Sequence, residues 1–248
     1  MDIEFLNSYF DKIYVITLPD QEARQENIKN ILGGLKYEFF FGADKRQFSI
    51  EELERNNIYD HFSAKNNNRY NKPMTIAQVC CAWSHKMVYQ EILQGNFERT
   101  LILEDDVEPS NAACYAANVF HELPSGWEIL YLDYNKNEYP KKIKQRWYHL
   151  QHRLGKLKWG SQIINNLYPV NFSRHLSKAG YHDYADAYAI TNSAAQKLIS
   201  LQTPISFPAD HLLSYASAST QIHAFISRPK LFYQLSQGVH RRMSSLVE

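Results

Sequence analysis

The run Thr100-Leu-Ile-Leu-Glu-Asp-Asp-Val107 sets three apolar residues directly before three carboxylates, with no turn residue between them. Leu101, Ile102 and Leu103 read as a short strand buried on both faces, the pattern of a strand inside a mainly parallel sheet. The acids then belong at the strand's carboxyl end, the edge at which open α/β sheets bind ligands. Three neighbouring carboxylates at the rim of a core repel one another and call for a compensating cation. A hard divalent ion, Mg²⁺ or Mn²⁺, shared between carboxylate and ligand phosphate oxygens would meet that need. Side chains alternate along a strand, so Glu104 and Asp106 face one way and Asp105 the other. The alternative is a solvated turn in which Asp106 or Ser110 caps the next helix.

A chain of 248 residues with 44% hydrophobic content can build one large α/β core, and a single domain over residues 1–248 is expected. Its 27 lysines and arginines against 26 acids give a net charge of +1, which speaks against nucleic acid as a partner. The three cysteines, two of them adjacent at Cys80 and Cys81, do not form a disulfide framework and read as small buried residues of a reducing compartment. The chain opens without a basic segment followed by an apolar one, and no uncharged run is long enough to span a bilayer. The expectation is a cytoplasmic protein, with peripheral attachment at the inner face of the membrane as an option.

Lys12 to Leu18 reads as the first strand, and Gln21 to Leu35 as a helix with Ile28, Ile31, Leu32 and Leu35 on one face. Arg24 falls in that helix's first turn, where a cation opposes the helix dipole. It is held there either by Asp20 or by an anionic ligand. Tyr37 to Phe41 completes a βαβ unit with parallel pairing. Ser49 to Lys72 reads as a short helix near 50–56 followed by a polar loop. Thr75 to Leu93 is a helix with a broad apolar stripe, interrupted by Ser84 and His85, which read as a back-bonded hydroxyl and a satisfied core imidazole. A helix is expected near 111–123 and a strand over 127–133, whose Asp133 comes to the same sheet edge as Asp106.

Residues 139–160 change character. Lysines and arginines alternate with Trp147, Tyr148, Leu150, Leu154, Leu157 and Trp159. This basic aromatic insertion could lie on an anionic membrane, grip an anionic acceptor, or be a solvated excursion. Ala185 to Thr191 is a further strand. Pro208-Ala-Asp210 opens another helix, with Asp210 at its start. Strands over 222–226 and 230–235 lead to Gly238, His240, Arg241 and Arg242, a tail that could be a lid over phosphates and metal or a frayed end.

In this order the pieces resemble glycosyltransferase family 25, the bacterial lipooligosaccharide galactosyltransferases and their collagen-modifying relatives. The opening strand Ile13 to Leu18 with Arg24, the Cys81-Ala-Trp-Ser-His85 segment, Leu101 to Val107, Tyr188-Ala-Ile-Thr191 with Ala194, Ala195 and Leu198, and Pro208-Ala-Asp210 carry the likeness. The resemblance implies a GT-A type nucleotide-diphospho-sugar transferase fold, a central mainly parallel sheet flanked by helices. It also implies Mn²⁺ or Mg²⁺ at the acidic motif and a UDP-sugar donor, UDP-galactose or a relative.

The implied reaction is metal-dependent, inverting transfer of a hexose to a saccharide or lipid-linked saccharide acceptor such as lipooligosaccharide. Asp106 with Asp105 would hold the metal, with His240 as a third ligand. Leu18, Arg24, His85, Glu104 and Asp105 would serve the donor, and Asp210, or else Asp186, would take the acceptor proton. Two other classes stay open. A metal-dependent nucleotidyltransferase would share the sheet and acids, although no glycine-rich phosphate loop follows the first strand. A non-catalytic nucleotide-sugar-binding or membrane-docking relative would tolerate loss of Asp106.

Overall fold

The computed structural model describes residues 1–236 and 240–246. Gly238, the glycine ahead of the tail's histidine and arginines, lies outside the described residues.

The chain begins with Ile3–Tyr9 (α1), capped by Asp2, and continues through Lys12–Thr17 (β1), Glu22–Ile31 (α2) and Glu38–Phe41 (β2). Ile50–Arg55 (α3) and His61–Asn67 (α4) precede the long helix Ile76–Gln94 (α5), which leads into Arg99–Glu104 (β3) and Val107–Pro109 (β4). A 3-10 turn over Asn111–Tyr115, Ala116–His121 (α6) and Ile129–Tyr131 (β5) follow. Then come Lys142–Arg153 (α7), Ser161–Asn165 (α8), Val170–Asn171 (β6) and Leu176–Lys178 (β7). Ala187–Thr191 (β8), Asn192–Leu201 (α9), Ala209–Ala218 (α10), Ala224–Ser227 (β9) and Phe232–Gln234 (β10) close the described fold. Among the described residues no helix is long and apolar enough to cross a membrane.

Eight strands form one sheet in the order β2-β1-β3-β8-β5-β9-β7-β6. Six of them run one way and β8 and β7 run the other, so the sheet is mainly parallel, as expected for a GT-A type fold. Alternation along the strands builds two cores. Ile13 and Val15, Leu101 and Leu103, and Leu130 face α1, α2 and α6. Tyr14, Ile102, Ile129, Tyr131, Tyr188 and Ile190 face α5, α9 and α10. Central strands buried on both sides explain the continuous apolar runs at Leu101–Leu103 and Ile129–Tyr131.

Three regions depart from the sequence-based expectation. The stretch 49–72 contains two helices, not one: Asp60 caps α4 by accepting from Ser63 N at 3.0 Å. Leu53, Tyr59 and Ala64 bury against Met74, Val79, Ala82 and Ile205, a tertiary contact that so few apolar residues did not announce. The helix expected over 111–123 breaks into a 3-10 turn and α6, because Ser110 caps at Ala112 N and draws the chain tight. Strand β4 was not expected. It pairs antiparallel with β10 in a separate two-stranded ribbon and pins the acidic turn from its far side. Because Ser110 does the capping, Asp106 is not used as a helix cap.

Helix α5 starts with a reciprocal capping box between Thr75 and Gln78, and Gly95 follows its last residue. It lies so close to the end of β2 that a Cβ on Gly42 would stand 2.3 Å from Ser84 Oγ. That hydroxyl donates to Cys80 O at 2.8 Å and accepts from Ala43 N at 2.9 Å, so it is not free to swing away. Gly42→Ala is therefore expected to destabilise the protein by about 1–3 kcal/mol. Added to Ser84→Gly, it should cost clearly less than the sum of the two single changes. Thermal unfolding of the four proteins measures this, and additive losses would show that the close approach is not the cause.

Candidate functional site

The last residue of β3 is Glu104, and Asp105 and Asp106 form the turn before β4. Glu104 and Asp105 point apart as expected, Asp105 toward β1 and α2 and Glu104 toward α5, whereas Asp106 also comes within 3.9 Å of Arg24 Nη1, the atom that Asp105 binds. Asp105 accepts from Thr17 Oγ1 at 2.6 Å and from Arg24 Nη1 at 2.5 Å. Burial raises its pKa while Arg24 and Thr17 pull it back down. Arg24 is thus held by the acidic motif. Asp20, its expected alternative partner, pairs instead with Arg46 at 2.7 Å, because Asp20 is exposed ahead of α2 whereas the first turn of α2 points Arg24 inward. The other side of the Arg24 guanidinium donates to the backbone carbonyl of Ser244.

Asp106 sits 3.9 Å from Arg24 and is 3% exposed, and its Oδ1 has no hydrogen-bond partner. Burial and then Glu104 push its pKa up to about 7, with Ser236 and Arg24 acting the other way. Antiparallel β8 brings Asp186 to the same edge, where Glu104 N donates to its backbone carbonyl at 2.7 Å. Both side-chain oxygens of Asp186 are buried without a partner. Burial, followed by Asp133, Glu104 and Asp106, drives its pKa well above the carboxylate range. Asp133, at the end of β5, accepts from Gln234 N at 3.1 Å and lies 3.6 Å from Lys230 Nζ. Its pKa is raised by burial and lowered by Lys230. Gln234 Oε1 is also buried and unpartnered.

Orphaned buried oxygens at one sheet edge fit a hard divalent cation, since Mg²⁺ and Mn²⁺ take oxygen ligands and would offset the burial and repulsion that oppose ionisation of these acids. A neighbouring group extends the donor set: ligand atoms of Cys81, His85 and Glu104 lie within 4.8 Å of one another. His85 Nδ1 is 2.9 Å from Tyr188 Oη and its Nε2 is 3.2 Å from Glu104 Oε1, so the imidazole is both a satisfied core residue and a brace for Glu104. Burial pushes the Cys81 thiol well up, which makes it a poor ligand for a hard ion.

A cleft of about 290 Å³ opens beside the acids. Leu18, Arg24, His85, Glu104, Asp105 and Asp106 line it together with Thr17, Lys45 and Gln234. Five predicted donor residues and the first metal candidate thus share one wall. Lys45 donates to the Leu246 carbonyl at 2.9 Å, so two cations of the cleft hold tail carbonyls. Lys45 was missed in the sequence; its signal was the Gly42-Ala43-Asp44 stop at the end of β2, on the ligand-binding edge. His240 stacks on Tyr233, with ring centroids 4.2 Å apart, and belongs to neither metal-competent group. Neither of the two expected proton acceptors lines the cleft: Asp186 is sealed at 1% exposure, and Asp210 lies outside it. Asp210 stands in the first turn of α10, where its Oδ1 accepts from His211 N at 2.8 Å. Ligand atoms of Asp183, Asp210 and His211 also converge within 4.8 Å. The negative charge of Asp210 reaches both Cys81 and Tyr131, on the α5 and α10 side of the sheet.

A carboxyl whose folded pKa exceeds its unfolded value contributes stability that is complete below the unfolded pKa and is lost as pH rises through the folded one. In the metal-free protein, Asp106→Asn should therefore raise stability at pH 8 by about 2 kcal/mol, roughly 4–8 °C in Tm, and change little near pH 4. Melting curves recorded with chelator across this range test it; a loss of stability at pH 8 would contradict the assignment.

Residues 10–213 match the sequence profile of glycosyltransferase family 25 (LPS biosynthesis protein). The chain is 27% identical over 212 residues to a glycosyltransferase 25 family member of Anopheles gambiae, covering 81% of this chain and 31% of that protein. It is 22% identical over 246 residues to procollagen galactosyltransferase 1-B of Xenopus laevis, covering 90% of this chain and 36% of that one. The chain spans about a third of the length of these curated relatives. Among solved structures, mouse xyloside xylosyltransferase 1 in its apo form aligns with a TM-score of 0.37 and 11% identity, over 85% of this chain and 62% of that one. With the profile matched across most of its length and the acidic strand in place, this chain belongs to glycosyltransferase family 25.

Proposed function

We propose that the protein transfers a hexose, galactose in the first instance, from a UDP-sugar to a saccharide acceptor with inversion at the anomeric carbon. The observation that carries the reading is the buried, unpartnered Oδ1 of Asp106 in a cleft that also carries Arg24 and Lys45. Family membership supports the reaction class. The galactosyltransferase names of relatives such as the Xenopus laevis protein support the choice of sugar.

Asp106, with Asp105 and Glu104 beside it, would hold Mn²⁺ or Mg²⁺ in this reading. Such an ion offsets negative charge on a departing diphosphate. Arg24 and Lys45, which hold the carbonyl oxygens of Ser244 and Leu246, would exchange those oxygens for donor phosphate oxygens. Asp105, itself held by the Thr17 hydroxyl, fixes the guanidinium of Arg24 for that exchange, so the guanidinium would need little reorganisation on donor binding. His85, locked between Tyr188 and Glu104, keeps the Glu104 carboxylate aimed along the cleft wall.

The acceptor hydroxyl oxygen attacks the anomeric carbon while the bond from that carbon to the diphosphate oxygen breaks. Asp210 takes the hydroxyl proton, and UDP leaves with the electron pair. Asp210 is favoured over Asp186 because Asp186 is sealed and burial opposes its ionisation, whereas Asp210 is half-buried at a helix start. A nucleotidyltransferase would consume a nucleoside triphosphate and release pyrophosphate, so product analysis separates the two classes.

The test is UDP release with Mn²⁺ across a panel of UDP-sugars and saccharide acceptors. Turnover with one UDP-sugar should be abolished by chelator and lowered by about 10²–10³-fold in Asp106→Asn. Asp210→Asn should lower kcat by about 10²–10⁴-fold with donor KM nearly unchanged. Absence of both binding and turnover with every UDP-sugar would overturn the reading in favour of a non-catalytic docking relative.

A further inference from the structure

Helix α7 turns its polar side toward the protein and its apolar side outward. Gln145 donates to the carbonyls of Ile164 and Asn165 at 2.8 and 3.1 Å, and His149 Nε2 lies 3.0 Å from Asn165 Oδ1. Tyr148 meets Trp159 edge-on, with centroids 5.7 Å apart. On the opposite side Ile143, Trp147, Leu150 and Leu154, spaced by four, three and four residues, are 85, 55, 46 and 59% exposed. That spacing makes one continuous ridge along the helix. A helix packed for stability alone would bury such a ridge, and this helix buries none of its residues. The exposure is also localised: of the eleven large hydrophobic residues described as exposed, seven fall between Tyr139 and Phe172.

Charge is segregated to the same place. From residue 139 to 182 there are nine lysines and arginines and no aspartate or glutamate, in a chain whose net charge is +1. By helical spacing Arg146 and Arg153 border the ridge on one side and Lys144 on the other. An apolar ridge with a tryptophan and a cationic border is the chemistry of a helix that lies in a bilayer interface, its cations extended to lipid phosphates. A second copy of this face would set cation against cation, and a nucleic acid would leave the ridge uncovered.

We propose that α7 docks the protein on an anionic lipid bilayer, with Ile143, Trp147, Leu150 and Leu154 sunk among the headgroups. The docking face is fixed to the rest of the fold. Leu157, Trp159, Ile163, Ile164 and Leu167 bury in a cluster that also takes in Ala218 of α10. Helix α8 packs on both α7 and α10, and the first turn of α10 carries Asp210. A membrane-anchored acceptor would therefore be presented to a site rigidly joined to the surface-bound helix. The proposal stands on the geometry and charge of α7 and does not depend on the transferase reading.

Flotation with phosphatidylcholine vesicles, with and without phosphatidylglycerol as a quarter of the lipid, tests it directly. The full chain should bind the anionic vesicles, leave the neutral ones largely unbound, and dissociate as salt is raised. Trp147→Ser with Leu150→Ser, and separately Arg146→Gln with Arg153→Gln, should each lower the bound fraction at fixed lipid by about tenfold with Tm unchanged. Trp147 fluorescence should shift to the blue on binding, a change absent in Trp147→Phe. No binding to anionic vesicles would overturn the proposal, as would equal binding to both compositions or full binding by the ridge variant. Ridge-dependent self-association in sedimentation, without vesicle binding, would overturn it in favour of a protein partner.

Discussion

Concentrating carboxylates at one buried sheet edge is the constraint on which this structure turns. Glu104, Asp105, Asp106, Asp133 and Asp186 all arrive at the carboxyl or reversed ends of adjacent strands, and for the four aspartates burial opposes ionisation. Two are compensated by cations, Asp105 by Arg24 and Asp133 by Lys230. Asp106 and Asp186 are left with orphaned oxygens. A fold selected for stability alone would not keep such groups, since an apolar or amide replacement relieves the repulsion. Buried carboxylate oxygens left without a partner are groups that a divalent cation would satisfy, which marks this edge as the candidate site.

The surrounding architecture holds that edge in shape. Parallel β1 and β3 set Thr17 and Arg24 against Asp105, antiparallel β8 inserts Asp186, and the β4–β10 ribbon clamps the turn from outside. Helix α5 reaches over the edge with His85, and its close approach at Gly42 and Ser84 shapes the floor of the cleft. The tail then lays the carbonyl oxygens of Ser244 and Leu246 on Arg24 and Lys45. Each element contributes one or two polar atoms. The site exists only as their intersection.

How much was legible beforehand follows from the range of each interaction. The order of strands and helices around Arg24, Cys81 to His85, Glu104 to Asp106 and Asp210 could be read because continuous apolar runs and helical periodicity are local signals. The grouping of Leu18, Arg24, His85 and the three acids on one cleft wall followed from the rule that binding sites gather at strand carboxyl ends. Helix α4, strand β4 and the hairpin of β6 and β7 could not be read, because their apolar residues are few and gain burial only from distant partners. Asp105 was not among the partners considered for Arg24 for the same reason: Asp20 is near in sequence, but Asp105 is near in space.

The sequence by itself determined the class of the fold, the position of the acidic residues at a strand's carboxyl end, and the unusual basic and aromatic composition of residues 139–160. These are statements about periodicity and residue type, which neighbouring residues fix. Only the tertiary structure decided which carboxylates lose their water, which cation answers which acid, and that α7 turns its apolar ridge outward while its polar side bonds to α8. Desolvation and orientation depend on what packs against a residue from far along the chain, and no local pattern carries that information.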